Sequence, residues 1–76
     1  MSETLSIELR CNKNTGGSYN AHTYVNGKKN SDAELSVNRG DCDAIALLYG
    51  RVKKAYPGTE IRVKGLDKMC YDKIMR

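Results

Sequence analysis

The chain has 76 residues, 13 basic against 9 acidic side chains for a formal net charge of +4, and 39% apolar residues. That amount of sequence fits a single globular domain spanning residues 1–76 and leaves no room for a second. No apolar run approaches the roughly 20 residues of a membrane span, and Met1-Ser2-Glu3-Thr4 is neither the basic nor the apolar part of a secretion leader. The sequence therefore predicts a cytoplasmic protein with no membrane partner.

Chains this short bury only about 60% of the surface they expose when unfolded, so a homodimer that shares apolar surface is compatible with so small a core. With no Trp and no Phe, the bulk of that core falls to Leu, Ile, Val, Met and five tyrosines. Three cysteines, Cys11, Cys42 and Cys70, are odd in number and far apart, unlike the paired cysteines of a small secreted scaffold. They are expected to be reduced thiols packed as small hydrophobes.

Leu5, Ile7, Leu9 and Cys11 alternate with Ser6, Glu8 and Arg10, which predicts a half-buried strand from Leu5 to Cys11. Turn formers fill residues 12–18, and Tyr19 to Val25, rich in β-branched and aromatic residues, predicts a second strand. Asn26-Gly27 then signals a tight type I′ hairpin. A third strand is expected to contain Ala33, Leu35 and Val37.

That hairpin creates a conflict of register. Pairing Val25 with Lys28 and continuing the ladder puts Tyr24, His22 and Asn20 opposite Lys29, Ser31 and Ala33. Leu35 and Val37 then share a face with Tyr24, while Val25 and Ala21 face away. Three resolutions remain: a bulge near Asn30-Ser31-Asp32 that shifts the phase by one residue, a longer loop over Lys28 to Asp32, or a second apolar face carrying Val25 and Tyr19 that serves for interaction.

Asn38 is placed to cap a helix whose first turn carries Asp41, an acid at the positive end of the dipole. The helix is expected to run to about Tyr56, with Ala44, Ile45, Leu48, Val52, Ala55 and Tyr56 on one stripe and Leu47 beside it. Pro57-Gly58 ends it, Glu60 to Lys64 alternates as a further strand, and Asp67 caps a short last helix with Leu66, Cys70 and Ile74 facing in, flanked by Met69, and with Lys73 and Arg76 at its end. The fold class expected is α+β: a three- to four-stranded, mostly antiparallel sheet in the order β-β-β-α-β, the main helix packed on one face. The other face, with Glu8, Arg10, Arg62, Lys64 and one or more tyrosines, is left to solvent or a partner.

Motifs for chemistry are sparse. His22 is the only histidine and no motif couples it to a nucleophile. Zinc-type Cys and His spacing is absent. Thr15-Gly16-Gly17-Ser18 lacks the Lys-Ser/Thr ending of a phosphate loop, and Arg39-Gly40-Asp41 sits at the expected helix start. No catalytic role, metal or cofactor is expected.

The basic residues have functional reach. Arg10, Tyr24, Lys28, Lys29, Arg62 and Lys64 are the candidate partner-binding residues, with Tyr19 or Tyr49 as further aromatic neighbours. Cations beside aromatic rings suit phosphate contact and base stacking. The layout of three strands and a helix is similar to that of small sheet-based DNA readers, such as the amino-terminal domains of some mobile-element integrases. The expectation is a small non-catalytic binding protein, a phage or mobile-element inhibitor of anti-CRISPR type that contacts a host protein or ribonucleoprotein complex handling nucleic acid. The alternative is a module that binds nucleic acid directly through a basic sheet face.

Overall fold

The computed structural model describes residues 5–75. Residues 1–4, read above for a leader, and Arg76, placed above at the end of the last helix, lie outside the described residues.

The elements in chain order are β1 (Ile7–Lys13), β2 (Tyr19–Val25), β3 (Lys28–Lys29), a single 3₁₀ turn (Ala33–Leu35), β4 (Ser36–Gly40), α1 (Cys42–Ala55), β5 (Ile61–Lys64) and α2 (Lys68–Ile74). They build an α+β fold on one five-stranded sheet. β1 and β2 are central: β5 lies outside β1, while β3 and β4 share the far side of β2. Every pairing is antiparallel except that of β1 with β5. The sheet thus has five strands rather than three or four, and the first begins at Ile7, leaving Leu5 38% exposed.

Alternation decides the two faces. Ile7, Leu9 and Cys11 of β1, Tyr19, Ala21 and Thr23 of β2, and Ile61 of β5 are buried against Ile45, Leu48 and Val52 of α1 and Cys70 and Ile74 of α2. Fully burying a Leu, Ile or Val contributes roughly 1.5–3 kcal/mol. A surface ion pair is worth about 0–1 kcal/mol. Stability therefore resides on the helix side, and the charges of the opposite face are dispensable to the fold.

The hairpin conflict resolves by a longer excursion than a one-residue bulge. Tyr24 pairs with Lys29 and Val25 with Lys28, as a tight Asn26-Gly27 turn requires, with φ of 52° and 83° at those two residues. The chain then leaves the ladder, and His22 pairs with Ser36 instead of Ser31, an odd displacement of five residues. An odd shift reverses the faces, so Leu35 becomes buried and Val37, opposite Ala21, packs against the core. Ala33 and Leu35 belong to the excursion and not to a strand. Asp32 caps its 3₁₀ turn by accepting from the Glu34 N–H, and the Asn30 side chain donates to the Tyr56 hydroxyl at 3.2 Å.

Helix α1 starts later than expected. Asn38 is in β4, and the cap is Asp41, whose carboxylate accepts from the Ala44 N–H at 2.9 Å. A bulge explains the difference. Between Tyr19 and Ala21 of β2 only Asn20 intervenes, whereas between their partners Gly40 and Val37 stand Asn38 and Arg39. Arg39 takes a left-handed φ of 57° there, and its N–H donates to Asn20 Oδ1 at 2.8 Å. Within α1, Leu47 is 68% exposed and Ala55 is also exposed, so both fall outside the buried stripe.

The cysteines are not all reduced. Cys42, the first residue of α1, is joined to Cys70 of α2 by a disulfide with Cα atoms 5.7 Å apart, and Cys11 alone is free, in the core. Cys42 and Cys70 lie 28 residues apart with no motif at either, and only the packing of α2 beside the start of α1 brings them together. Lys73 also pairs with Asp43 at 2.9 Å, a second link between α2 and α1. None of the helices among the described residues is long and apolar enough to cross a membrane.

Candidate functional site

The helix-free face of the sheet is a grid of polar side chains set by strand register. One row across it reads Lys29, Tyr24, Glu8, Arg62, on β3, β2, β1 and β5 in turn. The next row reads Ser36, His22, Arg10, Lys64 on β4, β2, β1 and β5. Neighbours in such rows and on their diagonals are within reach of one another. Four cations thus share the two rows with one carboxylate.

Glu8 is the organiser of the grid. Its carboxylate forms ion pairs with Arg10, two residues along β1, and with Lys64 Nζ at 3.3 Å from the neighbouring strand. The bond from Arg10 is the main cause that holds the Glu8 carboxyl below its ordinary pKa, against the opposing effect of partial burial, and the same bond raises Arg10. Arg10 also lies across the diagonal from Tyr24, its guanidinium carbon 4.1 Å from the ring centroid. Stacked between a ring and a carboxylate, the Arg10 head group is held in one orientation.

Of the six candidate residues, Arg10, Tyr24, Lys29, Arg62 and Lys64 come together on this face. Lys28 does not: it pairs with Val25 and so belongs to the helix side, at the edge. Tyr19 is buried in the core, its hydroxyl accepting weakly from the Asp67 N–H at 3.4 Å. Tyr49 is on α1, with Lys53 Nζ 5.5 Å from its ring. Among the described residues only Tyr24 offers an aromatic ring to the grid.

His22, for which the sequence offers no catalytic partner, occupies a grid position between Arg10 and Ser36. Burial, and then the nearby Lys29 charge, lower its pKa below the ordinary histidine value. Alternation with Tyr24 on β2 was the signal that places it there. The thiol of Cys11 is on the opposite side of the sheet from His22, and burial pushes its pKa up to about 11, which leaves it protonated at neutral pH.

The remaining candidate motifs are absorbed by the fold. Asn14 and Ser18 close the glycine turn, through Asn14 N–H to the Ser18 carbonyl at 2.7 Å and Gly17 N–H to the Asn14 carbonyl at 3.0 Å. In Arg39-Gly40-Asp41 the aspartate is occupied as the α1 cap. No group of three or more candidate metal-ligating side chains converges among the described residues. No family model, curated protein sequence or solved structure matches this chain.

Proposed function

We propose that this chain is a non-catalytic binding protein that sets its cationic sheet face against an acidic surface of a protein or ribonucleoprotein complex that handles nucleic acid, and so modulates or inhibits it. The observation that supports this is the uncovered grid itself: Arg10, Lys29, Arg62 and Lys64 around a single tyrosine on a face that contributes little to stability. Charge selects the acidity of the target. The inhibitory role and a phage or mobile-element origin of anti-CRISPR type rest on size and on the lack of a recognisable catalytic motif.

Direct binding of nucleic acid fits the grid less well. Glu8 stands at its centre, where a phosphate chain crossing from Lys29 to Arg62 meets a carboxylate, and the Tyr24 ring already carries the Arg10 guanidinium on one side. A protein surface of mixed charge accommodates both features.

The test pairs a capture experiment with a titration. Arg62→Glu with Lys64→Glu is expected to abolish capture of the partner complex while leaving the circular dichroism and melting temperature unchanged, and undiminished capture removes this face from consideration. Naked DNA or RNA bound at about 50 mM salt and released by about 200 mM instead marks a direct nucleic-acid binder. The cytoplasm is kept as the proposed setting, but the Cys42–Cys70 bond withdraws the thiol argument for it, since such bonds are uncommon in a reducing cytosol. Rapid alkylation in intact cells followed by mass spectrometry tests it: cysteines that stay fully blocked from alkylation at both positions overturn a reducing setting.

A further inference from the structure

β5 is the outermost strand on its side of the sheet, pairing with β1 and with no other described strand. The far edge of the sheet is broken, first by the excursion between β3 and β4 and then by the Arg39 bulge. β5 is the uninterrupted edge, and an edge strand displays backbone N–H and C=O groups to which an extended chain can add.

Its side chains specify what is added. Arg62 and Lys64 are exposed on the grid face, while Ile61 is buried and Val63 half-buried on the helix side. A second copy of β5 pairing edge to edge would bring these cations against their own kind, which is unfavourable. The same cations favour carboxylates on an incoming strand. Beside the start of β5, a shallow depression lined by Leu5, Ser6, Ile7, Gly58, Thr59, Glu60 and Arg62 offers a seat for an uncharged side chain, its Glu60 carboxylate disfavouring an acidic one at that point.

We infer that the β5 edge takes up an extended segment of a protein partner in which acidic and apolar residues alternate. The segment adds a strand to the sheet, its carboxylates beside Arg62 and Lys64 and its apolar side chains at the level of Ile61 and Val63. This rests on the proposal that the cationic face is the docking surface, and names the kind of partner it receives.

The probe is a synthetic hexapeptide alternating glutamate and valine, compared with the same peptide N-methylated at alternate residues, which keeps the charge and removes backbone donors. The unmodified peptide is expected to slow amide exchange across residues 61–64 at low salt, and the N-methylated one to bind about tenfold more weakly or worse. Arg62→Glu with Lys64→Glu is expected to lose this peptide and to take up a lysine–valine counterpart, a gain that an unfolded variant cannot show. Equal binding of the methylated and unmethylated peptides overturns strand addition and leaves the cationic-face proposal standing. Absence of binding overturns it too, as does equal protection of residues 61–64 by a single-stranded oligonucleotide. The cationic-face proposal falls as well only if disordered polyglutamate fails to shift the NMR signals of Arg10, Tyr24 and Lys64.

Discussion

The hydroxyl of Thr23, wholly buried in the middle of β2, donates a 2.8 Å hydrogen bond to the backbone carbonyl of Leu35 at the end of the 3₁₀ turn. That bond ties the excursion between β3 and β4 back to the sheet at the point where the ladder resumes. Thr23→Val keeps the shape and removes the donor, leaving a buried carbonyl without its partner. It is expected to cost about 1–3 kcal/mol, read as a lower urea midpoint at unchanged slope.

The Cys42–Cys70 bond closes a 28-residue separation around α1 and β5. The chain-entropy relation assigns a loop of that size about 3–4 kcal/mol. Reduction, or Cys42→Ser with Cys70→Ser, is expected to lower stability by that order, with amide exchange rising first in α2, whose own buried residues are only Cys70 and Ile74. Equal urea midpoints with and without reductant would refute a structural role for the bond.

His22 makes the grid responsive to pH. Its folded pKa lies below the unfolded value of 6.5, so the unfolded chain binds the proton more readily. Its contribution to stability is therefore complete above about pH 6.5 and is lost as pH falls from there through the folded pKa. Glu8, held low by Arg10, stays ionised across that window and does not confuse the reading. An anionic partner favours the charged imidazole, so binding is expected to tighten between pH 7.5 and pH 5.5 and to take up a proton, measured by calorimetry in buffers of different ionisation enthalpy. His22→Gln is expected to flatten both trends.

Glu8→Gln separates the grid's charge from its order. The variant retains shape and loses the charge that Arg10 and Lys64 share. The Glu8 side chain is only 18% exposed, but its partners Arg10 and Lys64 are 51% and 64% exposed, so the change is expected to move stability by about 1 kcal/mol. Affinity for polyglutamate at low salt is expected to rise, and a fall measured by calorimetry would show that the order Glu8 imposes on Arg10 outweighs the repulsion it adds.

Much of the architecture was legible because it follows from local pattern. Alternation in β1 and β5 assigned the two faces, Asn26-Gly27 located the hairpin, and the helical stripe of Ile45, Leu48 and Val52 gave the packing side. What was hidden depends on contacts between distant segments. The odd displacement after Lys29 is held by Thr23 and Tyr56, neither adjacent in sequence; the move of the helix cap from Asn38 to Asp41 follows from a bulge against Asn20; and Cys42 finds Cys70 only once both helices dock. Within the candidate site, Lys28 pairs with Val25, whose face the hairpin conflict leaves open in the sequence, and only the fold assigns both to the helix side. The central position of Glu8 required cross-strand register, which alternation along one strand cannot supply.

The pairing of Ile7 with Ile61 joins segments 54 residues apart in a parallel ladder. Synthesis delivers the amino-terminal strands first, so a nascent chain carries β1 with one side bare until Ile61–Lys64 has been made. Closure of the sheet waits on β5, and a product truncated before Ile61 would present that bare side to every neighbour it meets.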